Sequence, residues 1–159
     1  MAAAQFTGPV LPGLALAGLA LAGCAPLVTV PAAPEASDPR CAVVLQRSPE
    51  VLLGLERRTT TSQASRAWGA PEPVVLRCGV TPPGPSTERC IRVEDAAGGS
   101  VDWLALQAED AWLFVTYGRR PAVEVVVPVS ALGDDGQPTA PLVDLSYAVS
   151  ATDVERSCL

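Results

Sequence analysis

The sequence predicts an α+β fold, in which a small antiparallel sheet of about four strands carries the N- and C-terminal helices of the domain on one face. Three observations predict this fold. Apolar residues alternate with a period of two through the middle of the chain, and an apolar stripe of helical spacing lies near the C-terminus. Cysteines are spread over the same region, which indicates that disulfides staple the sheet and the helices together.

Both predicted helices begin at a proline. The first begins at Asp38 and Pro39, because an aspartate N-cap followed by proline is typical of a helix start, and it continues through Gln46. A second start signal precedes an apolar helical turn at residues 51–55. The last helix opens at Pro141, and four apolar residues form its stripe: Leu142, Leu145, Ala148 and Val149.

Four segments between the helices have the alternation of strands: residues 73–78, 101–106, 112–117 and 122–129. Short turns rich in glycine or charge connect the last three of them. Because such short connections join neighbouring antiparallel strands, we expect a meander at this part of the sheet.

The N-terminal residues are typical of an export signal. An uncharged apolar run over residues 10–21 is shorter than the roughly 20 residues of a membrane span and has the length of a signal-peptide core. It ends in Leu21-Ala22-Gly23-Cys24, the pattern of a bacterial lipobox. The alternative is a signal peptide cut nearby, with Cys24 incidental.

The chain is therefore expected to consist of three parts. Residues 1–23 form a lipoprotein signal peptide, residues 24–40 form the lipidated Cys24 and a proline-rich tether, and residues 41–159 form one α+β domain. The protein would be anchored by its lipid to the extracytoplasmic face of the cell membrane.

Four cysteines remain for the exported domain, and an even set in that compartment predicts two disulfides. Cys78 is expected to pair with Cys90, because the proline-rich turn between them would join neighbouring strands. Cys41 then pairs with Cys158. Two alternatives are disfavoured by spacing, since a zinc site needs closely spaced thiolates and a redox pair needs Cys-x-x-Cys.

Composition excludes several functions. The 159-residue chain has a net charge of −6, which argues against a nucleic-acid partner. It contains neither histidine nor lysine, so it has no Ser-His-Asp triad, no Cys-His pair, no imidazole metal ligand and no Schiff-base amine. We therefore expect no catalytic residues, no metal and no cofactor.

Four sequence motifs of the domain are similar to those of a known family. They are Ala67-Trp68-Gly69-x-Pro71, Val75-Leu76-Arg77-Cys78-Gly79-Val80, Val101-Asp102-Trp103 and Thr116-Tyr117-Gly118-Arg119-x-Pro121-Ala122-Val123-Glu124-Val125. With Cys41, Cys90 and the doublet Arg57-Arg58, the chain resembles the actinobacterial domain-of-unknown-function 3515 family. The resemblance implies an exported or membrane-anchored envelope protein without an established activity. Genes of the family often lie near a D-alanine–D-alanine ligase gene, which implies a link to the cell wall.

Five residues are candidates for a recognition surface, because arginine binds carboxylates in a bidentate manner and aromatic rings cover apolar or sugar faces. They are Arg77, Asp102, Trp103, Tyr117 and Arg119. The alternative is structural: Arg77 and Asp102 would form an ion pair within the sheet, and the rings would fill the core.

The expected function is that of a non-enzymatic binding or accessory module of the cell envelope. Its ligand would be a partner protein or a peptidoglycan-related component of the wall, and its membrane contact would be the lipid anchor. The main alternative is a small carboxylate-dependent envelope hydrolase, which would need paired acidic side chains. A third interpretation is a solute-binding module.

Overall fold

A computed structural model describes residues 26–95, 98–133 and 136–158 of the chain. The helices are α1 (Pro39–Arg47) and α2 (Ala140–Val149), with a short 3₁₀ turn at Val129–Ala131. The strands are β1 (Val51–Leu52), β2 (Leu55–Arg58), β3 (Ser65–Trp68), β4 (Val74–Val80), β5 (Arg89–Glu94), β6 (Ser100–Gln107), β7 (Ala111–Thr116), β8 (Arg119–Arg120), β9 (Ala122–Pro128) and β10 (Asp153–Val154).

The domain is mostly β, so the prediction of an α+β fold with about four strands is wrong. Eight antiparallel strands form one sheet in the order β1-β2-β3-β4-β9-β7-β6-β5, and β8 pairs with β10 in a separate two-stranded ribbon. Each of the four predicted strand segments is a strand, namely β4, β6, β7 and β9. The missing strands are short or lie at the sheet edges, where apolar alternation extends over only a few residues.

Both terminal helices lie where the sequence places them. The Asp38 carboxylate caps α1 by accepting a hydrogen bond from the Arg40 amide at 2.8 Å. Residues 51–55, however, form the hairpin of β1 and β2 and not a helical turn. Its two linking residues, Leu53 and Gly54, both have positive φ, a conformation that a helix does not contain.

One face of the sheet carries the main core. Side chains that alternate along β4, β6 and β9 pack there with the buried stripes of α1 and α2. The apolar stripe predicted for the last helix is fully buried in this core: Leu142, Leu145, Ala148 and Val149. Trp68 and Trp103 are buried in the same layer, and only the first has a partner for its indole N–H, the carbonyl of Pro49 at 3.0 Å.

The other face of the sheet is covered in part by residues 26–38, most of the segment that the sequence assigns to a tether. Val28 pairs with Thr60 in a parallel bridge, and the Glu35 amide donates to the carbonyl of Gly79 at 2.8 Å. Ala33 packs with Ala122 in a small second cluster. The described part of this segment is therefore part of the fold. Cys24 and the predicted signal peptide lie outside the described residues.

The disulfides are Cys41–Cys78 and Cys90–Cys158, so the predicted pairing is wrong. The prediction assumed that the proline-rich segment joins neighbouring strands. In the sheet, β4 and β5 are separated by β9, β7 and β6, which places them roughly 19 Å apart at the usual strand spacing. A disulfide needs Cα atoms within about 7 Å, so Cys78 and Cys90 cannot pair.

Candidate functional site

A depression of about 100 Å³ lies where the ribbon of β8 and β10 meets the edge of the large sheet. We call it the arginine depression. It is lined chiefly by Arg92, Asp102, Tyr117, Arg119, Val154 and Arg156. The strands β5 and β6, the end of β7, the ribbon and the C-terminal segment each contribute a side chain.

Asp102 is a buried residue of the site, and its carboxylate accepts several of the hydrogen bonds there. It lies directly opposite Arg92 in the β5–β6 pair, and its two carboxylate oxygens accept from Nε and Nη2 of that arginine at 2.8 and 3.1 Å. One of these oxygens also accepts from the Cys158 amide at 2.8 Å. The carboxylate thereby joins the sheet edge to the C-terminal segment.

The hydrogen bonds from Arg92 hold the pKa of Asp102 below its ordinary value, with a smaller contribution from the Cys158 amide, while burial opposes this shift. The carboxylate therefore stays ionised at neutral pH, and both of its oxygens are occupied. This arrangement suits positioning of the neighbouring arginine and not the donation of a proton.

We expect Asp102→Asn to destabilise the protein at pH 7 and to have less effect in acid. A carboxylate with a depressed folded pKa stabilises the fold above its unfolded pKa of about 3.9, and that stability is lost as the pH falls through the folded pKa. Urea unfolding of both proteins from pH 7 to pH 2 tests this. A gap in unfolding free energy that stays constant or widens below pH 4 would contradict the account.

Arg119 is the buried cation of the site, with 7% of its surface exposed. Its Nη1 donates to the carbonyl of Thr152 at 3.0 Å and its Nη2 to the carbonyl of Ser100 at 2.9 Å. Among the described residues no carboxylate forms an ion pair with it. Burial lowers the pKa of Arg119, and the negative charge of Asp102 opposes that shift.

The C-terminal segment forms the outer wall of the depression, and Gly118 permits its approach. The carbonyl of Gly118 accepts from the amides of Glu155 and Arg156 at 2.7 and 3.2 Å. Gly118 has φ +65°, and a Cβ at this position would collide with the backbone of Arg156. The segment is held at its end by the Cys90–Cys158 disulfide, so the exposed guanidinium of Arg156 is kept at the rim.

The structure brings together three of the five predicted recognition residues, Asp102, Tyr117 and Arg119. Trp103 is fully buried in the core, because it points to the opposite face of β6 from Asp102. Arg77 lies on β4, three strands away, and pairs with Glu124 across the β4–β9 register. The ion pair considered between Arg77 and Asp102 does not form.

Two arginines of the site are absent from the predicted set. Arg92 is placed by β5, a strand whose alternating residues directly precede the Gly98–Gly99 turn, so the sequence carried a signal for it. Arg156 reaches the site only because the chain returns along β8 after α2. No local pattern in the sequence indicates that return.

By its fold and its site, this protein is a mostly β domain that is cross-linked by two disulfides and has an arginine-lined depression beside the edge of its sheet. The chain belongs to the family described as protein of unknown function (DUF3515), whose model matches residues 8–158. Comparison with curated proteins and with solved structures gives no match. Within the described residues, no helix has the length and apolar character needed to cross a membrane.

Proposed function

We propose that this chain is an exported lipoprotein of the cell envelope, and that its domain is a non-enzymatic module binding a carboxylate-bearing partner at the arginine depression. The observation that carries the proposal is the state of Arg119. It is buried beside an open depression, is held in place by two carbonyls, and has no ion-pair partner among the described residues. A charge in that setting favours an anion that completes its coordination.

The two other arginines of the depression have different roles. Arg92 is neutralised by Asp102, which fixes its position. Arg156 lies exposed at the rim and, like Arg119, has no ion pair within the described part of the chain. The site therefore offers two guanidinium groups that form no ion pair within the described part of the chain, one buried and one exposed, together with the ring of Tyr117.

The size of the site favours a carboxylate at the end of a larger molecule. A volume of about 100 Å³ holds a carboxylate with a small substituent, whereas the rest of the partner must lie outside. Guanidinium and carboxylate match in geometry, since two parallel N–H groups can bind two oxygens. A wall peptide with a free C-terminus, or an acidic side chain of a partner protein, has this chemistry.

The proposed location is supported by the lipobox at Leu21-Ala22-Gly23-Cys24 and by the two disulfides, since disulfides persist in exported proteins. Intact-mass analysis of the protein extracted from membranes tests it. The expected product begins at an acylated Cys24. A mass that retains Met1, or a mature chain without acyl groups, would overturn the anchor.

Thermal unfolding with two matched peptides tests the binding function. We expect a small wall-type peptide ending in a free carboxylate to stabilise the protein, by about 2.7 kcal/mol at 100 times its Kd, because a ligand stabilises the state that it binds. The same peptide ending in an amide should have no effect, because it lacks the negative charge.

Two variants locate the effect. Arg156→Gln removes the charge at the rim without touching the core and should reduce the stabilisation by the acid peptide. Arg89→Gln changes an exposed arginine outside the arginine depression and should leave it unchanged. Equal responses to acid and amide, or an undiminished response in Arg156→Gln, would overturn the proposed site.

A further inference from the structure

The N-terminal end of the described chain is fixed to the domain. The Val28 amide donates to the carbonyl of Thr59 at 2.9 Å, and the Thr61 amide donates to the carbonyl of Val28 at 3.0 Å. Nη2 of Arg58 binds the carbonyl of Pro26 at 2.7 Å. Two residues of chain span at most about 7 Å, so an acylated Cys24 would hold Pro26 against the membrane.

The surface at this point is apolar and open. We call it the anchor-side surface, and it consists of residues 26–29 with Arg58, Ala70, Pro71 and Pro73 around a groove of about 760 Å³. Leu27 is 57% exposed at its edge. Binding to a membrane surface increases with the apolar area that enters the interface and with attraction to anionic lipids.

Arg58 lies at the rim of the anchor-side surface. Arg58 also borders an adjoining depression of about 300 Å³, which Arg57 and Arg66 line together with threonine and serine side chains. Arg57 pairs with Glu50, but Arg58 and Arg66 form no ion pair within the described residues. Nε of Arg66 is buried without a hydrogen-bond partner, and burial, followed by the charge of Arg57, lowers the pKa of this guanidinium.

We propose that the anchor-side surface lies directly on an anionic lipid bilayer, with Leu27 in the interface and Arg58 against the phosphate groups of the lipids. The position of this surface follows from the lipid anchor of the proposed function, whereas its apolar and basic character does not depend on it. The domain would then be held at a fixed orientation on the membrane, and not on a long tether.

Vesicle flotation tests the proposal with a chain that starts at residue 24 and carries Cys24→Ser. This chain contains both disulfides and the whole described core, so we expect it to keep the fold. We expect this chain to float with vesicles of phosphatidylcholine and phosphatidylglycerol and much less with phosphatidylcholine alone. Leu27→Asp and Arg58→Gln should each weaken the binding about fivefold.

The matched control is Val143→Asp, which places the same charge on an exposed apolar residue of α2, 44% exposed. It should bind vesicles as the parent chain does. Failure of the parent chain to float with the anionic vesicles, or equal binding of Leu27→Asp and Val143→Asp, would overturn the proposal. Stabilisation of Leu27→Asp by the acid peptide would still report on the arginine depression, so the two proposals fail separately.

Discussion

Replacing Cys41 and Cys78 together by alanine is expected to lower the free energy of unfolding by about 4 kcal/mol. This disulfide joins α1 to β4, a central strand of the large sheet, across a sequence separation of 37 residues. Without it the unfolded chain gains the conformational freedom that the cross-link removes. Both cysteines are buried in the main core, so alanine also leaves unfilled volume there. Urea unfolding at pH 7 measures the loss.

The second disulfide provides the comparison. Cys90→Ala with Cys158→Ala should cost a similar amount, because its sequence separation of 68 residues gives only a slightly larger entropic term. It should also remove the stabilisation by the acid peptide, since it frees the wall that carries Arg156. Peptide mapping of the oxidised protein should show Cys41–Cys78, and recovery of a Cys78–Cys90 peptide would contradict the structure.

Gly79→Ala is expected to lower the free energy of unfolding by about 3 kcal/mol. Gly79 has φ +88°, and a Cβ at this position would collide with the backbone of Glu35 and Ala36. The energetic costs of the left-handed conformation and of the clash are additive. The clash can be relieved only by displacing the segment of residues 26–38. Chemical unfolding gives the energy, and hydrogen exchange at the Glu35 amide, which donates to Gly79, reports on the displacement.

Gly84→Ala is the control for this change. A Cβ at Gly84 would meet no atom within 4 Å, and the backbone there is not in the left-handed region, so alanine should change stability by no more than about 0.5 kcal/mol. If Gly79→Ala were equally neutral, with unchanged exchange at Glu35, residues 26–38 would not be packed on the sheet in solution.

Local signals in the sequence predicted local structure well. The N-cap Asp38 and the proline beside it placed α1, and the stripe from Leu142 placed α2. The apolar alternation placed β4, β6, β7 and β9. Each of these features depends on residues that are neighbours along the chain, so it can be predicted from the sequence alone.

The errors arose where the outcome depends on distant residues. The apolar run at residues 51–55 is too short to distinguish a helical turn from a hairpin by its period. The disulfide pairing required the strand order, in which β9 inserts beside β4 and separates it from β5. The packing of residues 26–38 required knowledge of the sheet face on which they lie.

The candidate site was predicted in part for the same reason. Asp102, Tyr117 and Arg119 lie near the ends of predicted strands that pair as neighbours, and they do meet. Arg77 also lies on a strand with alternating residues, but it does not join them, because its cross-strand neighbour is Glu124. Arg156 joins the site because the C-terminal segment returns along β8, and no residue pattern in the sequence predicts that contact.

The central claim is that the arginine depression binds a carboxylate. Arginine Nε–Hε resonances of ¹⁵N-labelled protein, followed during titration with the acid and amide peptides, test it most directly. We expect the resonances of Arg119 and Arg156 to shift with the acid peptide alone, while that of Arg77, paired with Glu124 elsewhere on the sheet, stays unchanged. No shift at Arg119 and Arg156, or equal shifts with the amide peptide, would contradict the claim.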